Sequence, residues 1–414
     1  MTRELMTGNG AAAWGARLAR VDYVPAFPIT PQTEIVETLA GWMESGAVPG
    51  RLVTLESEHS MLTAAGAAAA TGVRVFTATS SQGLLYAMEM LYTVAGWRAP
   101  FVLVNVSRGL ASPITLEPDH NDILAARDCG FLQLHCATCQ EVLDHLPIAY
   151  RLAEDPRVRL PVIVNLDGFY LSFTREPVER PDQQAVDAFL PPFAPRSLEF
   201  RASQPESQAV AVLGGGPYSY FRYETHLAAL NGVGVYEAIG AEWGERCGRP
   251  YGPLECYRSE DAEVCFVQIG SFATKAKAAV DALRQASRRV GLVRPRLLRP
   301  FPREALRQAL IGRRALAVID QNISFGFGGV LYGELCSALY GLAGAPVIAS
   351  FVGGLGGRDI TPEEYFEMAR LAAVAAEQGE PPPPRLLYTQ DELREVRKLQ
   401  TLAQVERNTL GDQS

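Results

Sequence analysis

The chain has 414 residues, 48% hydrophobic and 20% charged, with 46 acidic against 38 basic side chains and a formal net charge of −8. That length exceeds one ordinary core and predicts two domains plus a tail. The acidic balance without a basic stripe argues against a nucleic-acid partner, and the apolar stretches, strand-length and broken by Gly, Pro or charge, predict no membrane span.

From the N-terminus, "MTRELMTGNGAAAWGARLARVDY" has no long apolar core followed by a cleavage site, so no secretory signal is expected. Short apolar runs then alternate with helix-like segments: "VDYVPAF", "RLVTL", "VRVFTAT", "PFVLVNVS", "FLQLHCA" and "LPVIVNL" read as strands. Between them "PQTEIVETLAGWM", "EHSMLTAAGAAAATG", "QGLLYAMEMLYTVAGW" and "QEVLDHLPIAYRLAED" read as helices. In the first, Ile35, Val36, Leu39, Trp42 and Met43 form an amphipathic stripe. Alternating strands and helices predict a mostly parallel sheet covered on both faces, an α/β fold, over residues 1–200. Residues 176–200, rich in proline and acid, read as a linker with one short helix. Residues 201–260 read as a helical connection, either one helix interrupted by glycine or two.

A second α/β domain is expected over 261–378, with strands "AEVCFVQIG", "RVGLVRPRLLRPFP", "RALAVIDQN" and "PVIASFVGG" alternating with helices. Residues 379–414 open on a proline run and end charged; they read as a loose or partner-contacting tail. The seven cysteines are irregularly spaced and point to a reducing, cytoplasmic compartment. The lone "HCATC" pair cannot supply four metal ligands and reads as ordinary thiols where a strand meets a helix, with a redox or metal role as the alternative.

In open α/β sheets ligands gather at the carboxyl ends of the strands. There the sequence places "PITP", "ESEH", "TSSQG" and "VSRGLASPITLEPDHND". Thr30 followed by Pro31 is suited to cap a helix, or to offer a hydroxyl to a ligand. Glu58 suits a helix start with Ser57 as cap, or a contact with a polar heterocycle. Arg108 follows a near-continuous apolar strand and serves either a structural ion pair or a ligand carboxylate taken in two parallel hydrogen bonds. Asp119, His120 and Asp122 share one short loop with no second His or Cys group, so no metal site is expected. Neither GxGxxG between a strand and a helix nor GxxxxGK[ST] occurs, and "NLDGF" at 165–169 lacks the leading glycine of a Gly-Asp-Gly element that would hold an Mg-bound diphosphate.

Together these segments resemble the α subunit of the 2-oxoacid:ferredoxin oxidoreductases, nearest the pyruvate branch. "FPITPQTEIVETL", "ESEHSMLTAAGAAAATGVRVFTATSSQGL", "NVSRGLASP" with "DHNDILAARDCGF", and in the second domain "YRSEDAEVCFVQIGS", "RPFP", "ISFGFGG" and "GLGGRDITPEE" carry the likeness from about residue 10 to 370. The resemblance implies a thiamine-diphosphate pyrimidine-type domain followed by a smaller domain similar to the transketolase C-terminal one. It implies a cofactor shared with a diphosphate-binding β subunit, with Mg2+ and 4Fe–4S clusters on partner subunits of β, γ and δ type. The implied reaction takes a 2-oxoacid, pyruvate first, with CoA to acyl-CoA and CO2, electrons passing to ferredoxin. In that likeness Glu58 bonds the aminopyrimidine N1′ and favours its imino tautomer, Arg108 and Thr30 hold the substrate, Ser81 and Gln82 line the pyrimidine pocket, and the loop 109–122, with Asp119, His120 and Asp122, gates the substrate. Phe27 stands where the family usually carries tyrosine. Alternatives are the same chemistry on 2-oxoisovalerate, 2-oxoglutarate, phenylglyoxylate or oxalate, a transketolase-like enzyme without electron flow, and a non-catalytic scaffold. The oxalate branch carries arginine at the threonine position, so Thr30 speaks against oxalate.

Overall fold

The computed structural model describes residues 2–193, 203, 205 and 211–411. The end of the expected linker, 194–200, and most of the opening of the expected helical connection lie outside them.

Apolar runs of three to six residues, flanked by turn-formers, give a five-stranded sheet in the order Leu297–Arg299, Leu132–His135, Val162–Asp167, Val102–Ser107, Phe76–Thr79. The last four are parallel, and nearly every residue in them is buried, as a sheet covered on both faces requires. Tyr23–Ala26 and Arg51–Thr54 form a parallel pair beside it, bridged through Tyr23 and Val75. The second sheet has six strands in the order Arg385–Leu386, Val347–Val352, Ala315–Asp320, Val264–Gln268, Val290–Pro295, Leu254–Tyr257, all parallel except the last pair.

Several local expectations are corrected. The segment read as the strand "RVGLVRPRLLRPFP" is two strands: Val290–Pro295 joins the second sheet, and Leu297–Arg299 pairs antiparallel with Leu132–His135 in the first. The buried Arg294 and Arg296 guanidiniums at this crossing both reach Glu141, and Arg294 Nε also donates to Glu255 at 2.7 Å. Burial opposes ionisation of Glu141, but the two arginines dominate and hold its carboxyl well below the usual range.

The connection before the second unit is one helix of 33 residues, Gly215–Cys247, ended by Gly248 at φ 71°. Gly232, against Leu132, and Gly240, against the Tyr251 backbone, are points of close approach, and the helix runs through them uninterrupted. Leu254–Tyr257, inside the same expected connection, is an edge strand of the second sheet. Within the expected linker, Glu176–Arg180 pairs antiparallel with Thr2–Met6, and the helix Gln183–Phe189 follows. The N-terminal segment carries an unforeseen helix, Gly8–Leu18, capped by Thr7 and packed through small residues on the helix Cys139–Glu154. The segment read as one helix at 82–97 is two, Gln82–Tyr86 and Met88–Gly96. In the tail, Arg385–Leu386 adds a strand, and Arg358 bonds Glu392 at 2.7 Å on the exposed helix Gln390–Gly411.

One apolar cluster joins the two sheets: Phe101, Leu103 and Ile163 belong to the same core as Val267, Val293 and Leu316. Burial at about 25 cal/mol per Å2 makes that shared core the main tie between the units. It brings the 321–323 and 354–357 segments of the second sheet's edge onto the loop after Arg108: His120 N donates to Gln321 O at 2.8 Å, and Gly357 N to Pro118 O at 2.7 Å.

Candidate active site at the carboxyl edge of the first sheet

Five strand ends converge. After Tyr23–Ala26 the chain turns at Ile29–Gln32, where Gln32 N meets Ile29 O at 3.0 Å. The following helix starts at Thr33 with Gln32 in the cap position and no side-chain cap. Thr30 therefore does not cap a helix. Its side chain is exposed, and its carbonyl accepts the Arg108 Nη1–H at 2.8 Å. Gly168 lets this turn close in, because a β-carbon there would lie 2.6 Å from Ser107 O and 2.9 Å from Pro31 Cγ.

After Arg51–Thr54, Ser57 caps the helix Glu58–Ala70 by accepting the Ser60 N–H at 3.2 Å. Glu58 is its first residue, where the helix dipole favours a carboxylate. Its side chain is buried, and the carboxylate has no hydrogen-bond or ion-pair partner among the described residues.

After Phe76–Thr79, Ser81 sits at φ 51°, an uncommon conformation for a residue with a side chain. Its N–H donates to Asp122 Oδ2 at 3.0 Å, and its hydroxyl bonds Gly109 O at 3.0 Å and Gln82 Oε1 at 2.6 Å. Gln82 Oε1 also accepts the Arg108 Nη2–H at 2.7 Å.

Arg108 ends the strand Val102–Ser107. It is buried, it makes no ion pair among the described residues, and its Nε is without a partner. The structural ion pair offered as one role for Arg108 is thus not formed. Burial lowers its pKa and Asp122 raises it, with a net fall, but a guanidinium stays protonated at any physiological pH.

Asp122 is the hub below these groups. It is fully buried and accepts from the N–H of Ser81, Arg108 and Ile123, from the Asn105 amide and from the Ser107 hydroxyl. Burial pushes its pKa up to about 6 against the lowering effect of those donors. His120, also fully buried, bonds Asp167 at 2.7 Å, and Asp167 takes the Ser271 N–H at 2.8 Å from the second unit. Burial lowers the His120 pKa, but Asp167, with Asp122 and Asp119, more than offsets it, and the net shift is upward. Asp119 is buried and accepts the Asn121 N–H at 3.0 Å.

The three residues assigned to the gate, Asp119, His120 and Asp122, are buried and bonded in place. The exposed stretch is 111–117, with Ile114 73% exposed and the loop neck closed by Gly109 N to Glu117 O at 3.0 Å. Among the described residues no cluster of three or more His, Cys, Asp or Glu is arranged to hold a metal ion. Cys136 and Cys139 are buried free thiols whose pKa values burial pushes up, the ordinary alternative for that pair.

Sequence reasoning missed Asn105, Ser107, Asn165, Asp167 and Ser271. The signal was there: "VLVNVS" and "VIVNLD" interrupt apolar strands with polar residues, and the register sets Asn105 beside Asn165 and Ser107 beside Asp167. Paired polar residues in strands buried on both faces have to satisfy each other or a neighbour. A separate cavity of about 680 Å3, lined by residues such as Tyr92, Arg127, Tyr218 and Arg299, shares no residue with this cluster. It holds no partnerless buried carboxylate and is not where the chemistry converges.

Residues 14–231 match the family model for the thiamine-diphosphate-binding domain of pyruvate flavodoxin/ferredoxin oxidoreductase. The chain belongs to that family. Residues 262–365 match core domain II of pyruvate:ferredoxin oxidoreductase. The chain is 40% identical over 370 residues to pyruvate synthase subunit PorA of Methanothermobacter thermautotrophicus, covering 89% of this chain and 95% of the relative. It is 39% identical to ketoisovalerate oxidoreductase subunit VorA of Pyrococcus horikoshii, covering 91% and 95%. It is 38% identical to the α subunit of NADH-dependent phenylglyoxylate dehydrogenase of Aromatoleum evansii, covering 86% and 88%. Among solved structures, 2-oxoglutarate:ferredoxin oxidoreductase from Magnetococcus marinus shares the fold with a TM-score of 0.69 at 20% identity. The match covers 89% of this chain and spans 65% of the length of that one. No helix among the described residues is long and apolar enough to cross a membrane.

Proposed function

We propose that this chain is the pyrimidine-side subunit of a thiamine-diphosphate-dependent enzyme that takes a 2-oxoacid, pyruvate first, with CoA to acyl-CoA and CO2, the electrons leaving through 4Fe–4S clusters to ferredoxin. The diphosphate, its Mg2+ and the clusters belong to partner chains of β, γ and δ type, and the complex works in the cytoplasm. The observation that carries this reading is the pairing of Glu58, a buried residue whose carboxylate has no protein partner among the described residues, with a buried arginine, Arg108, that has only neutral acceptors on its guanidinium.

The residues fit the cofactor's aminopyrimidine end. The Glu58 carboxylate has no protein partner among the described residues and is open to a ligand, and Gly83, having no β-carbon, lets it lie close. Glu58 would hold N1′, with Ser81 and Gln82 nearby. When bound, thiamine diphosphate supplies the nucleophilic carbon for attack on the 2-keto group.

The chain's own residues do the rest. Glu58 holds or releases a proton at N1′. Arg108, fixed by the Thr30 carbonyl and Gln82 Oε1, keeps N–H groups for the substrate carboxylate, where charge-assisted bonds in a dry site are strong. Thr30 offers its exposed hydroxyl beside that carboxylate. The loop 111–117 closes over the site and excludes water, with Asp119, His120 and Asp122 as its fixed root.

The test is a substrate panel on the assembled complex, with cofactor and iron content. Turnover with pyruvate in preference to 2-oxoisovalerate, 2-oxoglutarate and phenylglyoxylate supports the pyruvate assignment, and preference for another 2-oxoacid moves it to that substrate. The isolated chain should bind thiamine diphosphate poorly and hold no stoichiometric iron. Micromolar Mg-dependent binding by the isolated chain, read by calorimetry, would overturn the shared-site reading.

A further inference from the structure

A pyrimidine-lining role does not explain how Gln82 is bonded. Its Oε1 accepts from Arg108 Nη2 at 2.7 Å and from the Ser81 hydroxyl at 2.6 Å. The Thr30 carbonyl takes Arg108 Nη1 at 2.8 Å. Two neutral oxygens thus hold both terminal nitrogens of the guanidinium. The nearby carboxylate, Asp122, meets Arg108 only at its backbone N–H, at 3.3 Å, and is occupied by four further donors. Arg108 Nε and Gln82 Nε2 are both buried and without partners. Buried donors of that kind are uncommon, and these two are open to a water or a ligand that completes the bonding.

The choice of amide over acid matters. Glutamate has the same length and would set a charged oxygen where Oε1 stands. The resulting ion pair would hold the arginine equally well, but it would cancel the charge that an anionic substrate needs. Glutamine orients the guanidinium and leaves its charge uncompensated.

We infer that Gln82 is the positioning residue that aims the Arg108 guanidinium at the substrate carboxylate while keeping it un-neutralised. This rests on the reading of Arg108 as the carboxylate binder.

The experiment uses the assembled complex carrying Gln82→Glu, Gln82→Met or Arg108→Ala, with KM, kcat and thiamine diphosphate content measured for each on the best 2-oxoacid. Gln82→Glu is expected to raise KM about 10- to 100-fold, the scale of losing charge-assisted bonds to the substrate. Its kcat should stay within about threefold, with cofactor content held. Gln82→Met removes the acceptor without adding charge and should raise KM less. The inference fails if Gln82→Glu leaves KM unchanged, or if it empties the cofactor site while the loaded fraction keeps a normal KM. Failure of both Gln82 variants to assemble would make the residue structural and also overturn it. If Arg108→Ala raises KM while Gln82→Glu does not, this inference alone falls; if Arg108→Ala leaves KM unchanged, the carboxylate reading beneath it falls too.

Discussion

The Glu58 carboxylate lies against the bare Cα of Gly83, its Oε1 2.5 Å from where a β-carbon would stand. The Thr79 hydroxyl is 2.6 Å from the same point. A single methyl therefore has no room unless Glu58 swings away. Overpacking of this kind costs about 1–3 kcal/mol. Gly83→Ala should lower the melting temperature by a few degrees and weaken thiamine diphosphate binding by the complex about tenfold or more, read by cofactor titration. Wild-type affinity in the variant would mean that Glu58 is not the group that holds the ring.

Glu58→Gln keeps the size and removes the proton-exchanging carboxyl. Fold and assembly should survive. Proton exchange at C2 of the bound cofactor, followed by NMR after acid quench, should slow by about 10²- to 10⁴-fold, the usual worth of a positioned acid–base group. Exchange at the wild-type rate with full cofactor content would reduce Glu58 to a helix-start carboxylate.

Arg108→Ala removes bonds to a substrate carboxylate worth roughly 1.5–3 kcal/mol. The expected result is a rise of about 10- to 100-fold in KM for the best 2-oxoacid, with thiamine diphosphate occupancy kept. No carboxylate is orphaned, but the Thr30 carbonyl and Gln82 Oε1 each lose a donor, so the melting temperature should fall modestly.

Asp122 ties stability to pH. Its folded pKa, about 6, lies above the ordinary carboxyl value of 3.8. Between those values the folded state holds a proton that the unfolded state has lost, so this group's contribution to stability falls as pH rises from about 4 to 6. Asp122→Asn lacks the titration and also turns an amide donor toward donors at Ser81 and Arg108. The variant should be less stable throughout, with the gap to wild type narrowing as pH rises across that window, measured by urea unfolding. A gap that widens with pH would reverse the assignment of the shift to burial.

The residue types and their order along the chain were enough to place Glu58, Thr30, Arg108, Ser81 and Gln82 at strand ends. An apolar run buried on both faces has to end at a sheet edge, and its first polar residues stand there. Period and punctuation likewise gave the parallel α/β pattern of both halves. The sequence alone could not say that Thr30 gives its carbonyl to Arg108 rather than capping a helix, or that Gln82 faces the arginine, because each bond joins residues brought together only when separate strand ends meet. The same holds for the strand Leu297–Arg299, which reads as continuous with Val290–Pro295 yet crosses to the other sheet. Local pattern fixes that a stretch is extended; which sheet it joins depends on the pairing partners and on the buried Arg294–Glu141 ion pair that closes the crossing. Burial and long-range pairing are properties of the packed chain, and they alone made Asp122 a hub and left Arg108 without a counter-charge.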